Sequence, residues 1–268
     1  IDVVKTGYVC DAGQIERRGD DGRIVREWHD GQWNANHHLR VVQAAAKHHV
    51  AINAHEPIKD TGLRRTYPNW VAREGARGME YGAWGNPPNP PEHEVNLVFT
   101  RMLAGPMDYT PGILSLKGRH GQAIPSTLAR QLALYVVLYS PIQMAADLPE
   151  HYLQHREAFR FIEDVAVDWE DSRVLNGEVG DYVTIVRKDR NSRDWFLGSI
   201  TDEHGRVLPV SLGFLEPGVR YTAEIYRDGD GAHWKTAPFK FIRETRTVTS
   251  ADTLTLRLAA GGGQAIRF

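Results

Sequence analysis

The stretch from Asn53 to Glu80 gathers residue types that can move protons and hold sugars or metal ions: His55 beside Glu56, then Asp60, Arg64 and Arg65, then Glu74 and Glu80 among arginines and glycines. Neighbouring carboxyl groups can divide acid and base work, one protonating a leaving oxygen while another takes a proton from water. They also repel one another, and a hard divalent cation relieves this by taking carboxylate oxygens at about 2.3–2.6 Å. Plainer readings stand beside these. Charged loops are common on surfaces, Glu74 can pair with Arg73 or Arg77 on a helix face, and His55 can be a core histidine with satisfied hydrogen bonds. Arg64 and Arg65 are either solvated or poised so that one pins a carboxylate by a bidentate contact. Asp108 is either a site residue at a strand end or a loop cap.

The elements that must position these groups are legible in outline. The apolar run from Val50 to Ala54 leads straight into His55 and Glu56, so both project where a strand ends, the place where enzymes built on parallel strands do chemistry. Val3 to Val9 reads as a strand, and Asn34 to His48 as a helix with Leu39, Val42, Ala46 and Val50 at helical spacing. Further short strands are predicted over 78–81, 103–107 and 142–146, the last after a helix over 126–139. Strand-helix alternation predicts parallel pairing. On one continuous helix Glu74 and Glu80 would fall on different faces at ~100° per residue. A break at Gly75 or Gly78 would instead let Glu74 end a helix and Glu80 sit on the next strand.

Beyond Asp164 the pattern changes to short alternating runs, at 182–186, 195–200, 206–212, 221–226 and 253–259, divided by Gly, Asp and Asn turns. That is the pattern of an antiparallel β-sandwich, which places a boundary between domains 1–166 and 167–268. Trp195, Tyr226 and Trp234 there read as packing rather than as sugar platforms.

Composition bounds the function. The chain has 268 residues, 41% of them hydrophobic, enough for a substantial core. A formal charge of −2 without a basic block gives no electrostatic reason to expect nucleic acid or a membrane surface as partner. The apolar run around Leu132 to Leu138 falls far short of the roughly 20 residues of a membrane span. Cys10 is the only cysteine, so no internal disulfide forms. The first residues lack the basic segment, apolar core and cleavage site of a signal peptide, and the chain reads as beginning inside a strand.

Six blocks occur in an ordered series: VKTGYV at 4–9, HDGQW at 29–33, NAHEP at 53–57, RRTYPN at 64–69, EGARGMEY at 74–81 and GPMDYTPG at 105–112. In wording and order they resemble glycoside hydrolase family 97, the inverting α-glucosidase type of bacterial starch-utilisation systems. The fold class that this resemblance implies is α/β plus β: a partial (β/α)8 TIM barrel, about strands 4–8, followed by an antiparallel β-sandwich. Five parallel strands are expected where a barrel has eight, so the chain reads as a fragment whose partner is the missing N-terminal part of the same enzyme.

The resemblance also implies roles. Glu80 matches the general acid and Glu56 a general base, with a second base candidate outside this chain. Glu56, Glu74 and Glu80 match ligands of Ca²⁺, another ligand coming from the absent part. His55, His29, His37, Arg65 and Asp108 are candidates for binding an oligosaccharide substrate, with packing an equal reading for His29, His37 and Trp33. Retaining α-galactosidases of the family carry an aspartate nucleophile where inverting members carry glycine, and Gly7 stands at that position. The expected activity is therefore that of a calcium-dependent, inverting exo-α-glucosidase, periplasmic or secreted as the family implies. A retaining α-galactosidase and a catalytically incomplete, sugar-binding scaffold are the rivals.

Overall fold

The computed structural model describes residues 1–8 and 13–268; the expected strand end at Val9, and Cys10, lie outside the described residues. The chain has a mixed α/β architecture with several sheets and a β-rich C-terminal region, and it groups into two compact units. The first holds residues 1–76, 106–108 and 140–142, the second the remaining described residues.

The first unit is built on a parallel sheet in the order β1-β4-β5, with β1 at Val3–Thr6, β4 at Ala51–Ala54 and β5 at Trp70–Arg73. A single parallel bridge from Arg73 to Met107 brings the 106–108 segment to this sheet. A hairpin of β2 (Gln14–Arg18) and β3 (Ile24–Trp28), not anticipated from sequence, precedes helix α1 (Gln32–Lys47). Asn34, His38 and Val42 recur every fourth residue of α1 and are its buried face. Val42 packs with Ile52, Ala54, Ile58 and Trp70, while the His38 ring stacks on Trp70 at 5.9 Å. Strand β4 is buried along Ile52, Asn53 and Ala54, as expected of a strand covered on both faces.

The expectation of five parallel strands is corrected to three strands and one bridge. Residues 78–81 form a turn, with the amides of Tyr81 and Gly82 donating to the carbonyls of Gly78 and Met79, that opens helix α3 (Tyr81–Trp84). The third strand is instead β5, earlier in the chain. Arg101–Ala104 is a 3-10 turn rather than part of a strand. Within 142–146 no strand forms, because the backbone groups are satisfied locally: the Ser140 hydroxyl donates to the Ile142 carbonyl, the Tyr135 hydroxyl to that of Met144, and the Ala146 amide to that of Pro111. The reading of Glu74 and Glu80 is reversed as well, since Glu74 follows a strand and Glu80 precedes a helix.

The second unit contains helix α4 (Pro91–Phe99), helix α5 (Leu128–Val137), α6 (Pro149–Gln154), α7 (Arg156–Asp164) and the β-rich region. A six-stranded antiparallel sheet runs β11-β10-β13-β8-β7-β6, where β6 is Trp169–Glu178, β7 Tyr182–Asp189, β8 Trp195–Thr201, β10 Tyr221–Asp228, β11 Phe241–Val248 and β13 Gly263–Arg267. A two-stranded sheet of β9 (Arg206–Ser211) and β12 (Thr253–Leu258) contributes to the core between them, with Leu254, Leu256 and Leu258 alternating inward. Every residue of β8 is buried, since α5 covers the face that the small sheet does not. The helix comes so close that a Cβ on Gly198 would stand 2.7 Å from the Ala133 carbonyl, so glycine is required there. The first sandwich strand begins at Trp169, and helices α5 and α7 group with this region rather than with the parallel sheet. Among the described residues, no helix is long and apolar enough to cross a membrane.

Candidate active site

The end of the parallel ladder fixes three site residues by their backbones. The His55 amide donates to the Thr6 carbonyl of β1, the Glu74 amide to the Ala54 carbonyl of β4, and the Asp108 amide to the Arg73 carbonyl of β5, at 2.7, 2.9 and 3.0 Å. Each side chain thus leaves the sheet where its strand stops, with its Cα held by the neighbouring strand.

Asp108 is wholly buried and His55 is 3% exposed. The Asp108 carboxylate accepts a 2.5 Å hydrogen bond from the Asn53 amide and a 2.8 Å bond from His55 Nε2. His55 comes two residues after Asn53, immediately past the end of β4, so strand alternation brings both donors to the same carboxylate. The other ring nitrogen of His55, Nδ1, lies 3.4 Å from Glu74 Oε2. Burial works against the charged imidazole, but the bond to Asp108 and the nearby Glu74 carboxylate outweigh it and raise the His55 pKa. Burial likewise opposes ionisation of Asp108, yet the bonds from His55 and Asn53 leave its pKa lowered.

Glu56 is half-buried and has a positive φ of 42°, a conformation that costs a non-glycine residue free energy and needs support. His29 supplies support: its Nε2 donates to the Glu56 carbonyl at 2.8 Å, which fixes the tautomer because a carbonyl can only accept. A Cβ on Gly7 would stand 2.9 Å from Glu56 Oε2. The Glu56 carboxylate therefore uses space that any other residue at position 7 would claim.

The other expected site residues divide. His37 lies on α1, stacked on Trp33 at 5.3 Å with the Tyr8 ring edge-on at 5.0 Å, and burial and Arg40 lower its pKa; its place is one of ring packing. Arg65 is exposed on the short helix α2 (Leu63–Thr66), whereas Arg64 pairs with Asp60 at 3.2 Å. Asp60 also takes the buried Arg73 guanidinium, and despite its burial these contacts lower its pKa. Glu80 belongs to the second unit, exposed at the start of α3. Asn53 was not anticipated, although its position two before His55 on a strand is a signal that finds it.

For a metal, the first unit offers Glu56 and Glu74, carboxylates that follow adjacent parallel strands. Oxygen donors of this kind suit a hard cation such as Ca²⁺.

Comparison with known proteins adds the family. The family model described as glycoside hydrolase 97 matches residues 1–76, and that described as glycosyl-hydrolase 97 C-terminal, oligomerisation, matches residues 168–268. A retaining α-galactosidase of Bacteroides thetaiotaomicron is 34% identical over 247 residues, covering 89% of this chain and 37% of the relative. A probable retaining α-galactosidase of Streptomyces bingchenggensis is 30% identical over 252 residues, covering 93% and 35%. Among solved structures, a glycoside hydrolase family 97 enzyme from Pseudoalteromonas sp. strain K8 in complex with acarbose is 56% identical with a TM-score of 0.96, covering 100% of this chain and 42% of that one. A variant of that enzyme in complex with panose gives the same values. The chain spans well under half the length of these relatives. With family models at both ends and this structural likeness along its whole length, the chain belongs to glycoside hydrolase family 97.

Proposed function

We propose that the chain forms part of a longer, calcium-dependent exo-α-glucosidase that hydrolyses its substrate with inversion. Gly7 carries this reading. A retaining mechanism needs a carboxylate nucleophile beside the anomeric carbon, and the position where the family's retaining members hold aspartate has no side chain here. Its space borders the Glu56 carboxylate, 2.9 Å from where a Cβ would stand. Glu56 then acts as general base, taking a proton from the water that attacks the anomeric carbon, and Glu80 as the general acid that protonates the departing oxygen. His55, held between Asp108 and Glu74, lines this part of the site. Acarbose and panose in the solved relatives favour an α-linked glucose oligosaccharide as substrate.

Glu56, Glu74 and Glu80 are the residues that would hold calcium. Bound there, the ion would offset the mutual repulsion of the carboxylates and draw substrate hydroxyls. The barrel reading of the parallel sheet and a periplasmic or secreted location belong to the same proposal.

The retaining α-galactosidase reading has its own support in the names of two relatives, at 34% and 30% identity. Proton NMR during the first minutes of α-glucoside hydrolysis by the full-length enzyme separates the two. The β-anomer is expected first; initial release of the α-anomer, or turnover of α-galactosides alone, would return the retaining reading to first place.

A further inference from the structure

We propose that Asp108 is a positioning residue: through the imidazole of His55 it sets the place of the Glu74 carboxylate. This rests on the reading of Glu74 as a calcium ligand of a family 97 glycosidase. Asp108 is wholly buried, so it acts through the residues it touches. Its backbone is held by β5 and its carboxylate by two donors, Asn53 of β4 and His55 just past the end of that strand, which leaves it little freedom.

An ionised carboxylate only accepts, so His55 Nε2 must carry a hydrogen, and the plane of the ring follows from that bond. The plane in turn directs Nδ1 at Glu74 Oε2, 3.4 Å away. Lys5 is the further charge that acts on both His55 and Asp108. A carboxylate with no exposed surface is costly to retain unless its bonds are well made. A chain of carboxylate, imidazole and ligand carboxylate is also the arrangement by which outer groups orient those that touch a metal, where losing the outer partner typically costs about 10–100-fold in metal affinity or activity.

The test uses the full-length enzyme with Asp108→Asn, His55→Gln and the double variant. Read together are kcat and KM on an α-glucoside, calorimetric titration of chelator-treated protein with CaCl2, and thermal midpoint. Asp108→Asn is expected to lower kcat by about 10–100-fold and to weaken calcium binding by about 10-fold, with KM and thermal midpoint little changed. Because Asp108 acts through His55, the double variant should be no worse than His55→Gln alone. Independent, multiplying losses in the double variant, or unchanged calcium affinity in Asp108→Asn, overturn the proposal. Should the asparagine variant fail to fold, His55→Gln decides alone: its calcium affinity must fall, and an unchanged value is fatal. Wild type that binds no calcium, or that releases the α-anomer, counts instead against the function proposed above, and coupling in kcat/KM then decides the positioning role.

Discussion

At Gly7 the absence of a side chain is itself a functional feature, because the Glu56 carboxylate uses the space. Gly7→Ala would put a Cβ 2.9 Å from Glu56 Oε2, so the carboxylate at the tip of the Glu56 side chain must shift while its backbone, at φ 42° with the carbonyl bonded to His29, stays in place. A small displacement of a base can cost on the order of 100-fold. In the full-length enzyme Gly7→Ala is expected to lower kcat by at least about 10-fold with little change in thermal midpoint, since residue 7 is exposed; an unchanged kcat would separate Glu56 from the chemistry. Asp228, in the second unit, makes a second test. Burial raises its pKa to about 6, although the Thr127 side chain and the amides of Ala259 and Gly263 stabilise its ionised form. A carboxylic acid with a raised pKa binds more protons folded than unfolded between its ordinary range and that value. Stability therefore falls as pH rises from about 4 to about 6, by about 3 kcal/mol in total, and is flat above. Asp228→Asn removes this slope, so denaturation midpoints of wild type and variant should diverge across that window; parallel curves would mean that Asp228 is not titrating there. Of the site itself, His55, Glu56 and Asp108 were legible by their places at the ends of predicted strands, whereas Glu74, expected to end a helix, was picked out by its carboxylate and by the resemblance alone. The Asn53–Asp108 bond was not, because it joins residues 55 positions apart.

At the scale of elements, what local pattern specifies was readable and what tertiary partners decide was not. Helix α1 followed from periodicity, strand β4 from its short apolar run, and the strands β7, β8, β9, β10 and β12 from alternation between turn residues. Strand β5 was missed because Trp-Val-Ala-Arg is too short and mixed to show a period, and only its pairing with β4 makes it a strand. The run at 142–146 misled in the opposite sense, since it is apolar yet its carbonyls and amides find turn and side-chain partners. Helix α5 was visible as an apolar run, but the charge inside it was not. Arg130, with no exposed surface, pairs with Glu94 and donates to the carbonyls of Thr201, Gly262 and Pro91, and Glu94 also accepts from the Tyr109 hydroxyl at 2.5 Å. This ties α4 and α5 to the last residue of β8 and to the turn that precedes β13. Removing one member of a buried pair strands the other, at a cost of about 3–5 kcal/mol. Arg130→Met should lower the urea midpoint of the second unit accordingly, and Arg130→Met with Glu94→Leu should recover part of the loss. A single variant within about 1 kcal/mol of wild type, below the range for buried pairs, would show that the pair does not hold these elements.

At the scale of the whole molecule, this chain covers 42% of its solved relatives and 35–37% of its curated ones, so the acid assignment must be tested in the full-length enzyme. Glu80 is exposed at the start of α3, where a carboxyl group can reach a substrate. A general acid matters in proportion to how badly the leaving group needs a proton. A sugar alkoxide is strongly basic and cannot depart unaided, whereas a nitrophenolate leaves readily. Glu80→Gln is therefore expected to lower kcat/KM for malto-oligosaccharides by about 10²–10⁴-fold, the range of general acid catalysis, while activated aryl α-glucosides stay within about 10-fold. Glu80 is also proposed to hold calcium, and a weakened ion would slow both substrates alike. Assays at saturating calcium remove that difference, leaving leaving-group dependence as the signature of protonation. Equal losses on both substrates at saturating calcium would take the acid role from Glu80 and leave it, at most, a ligand.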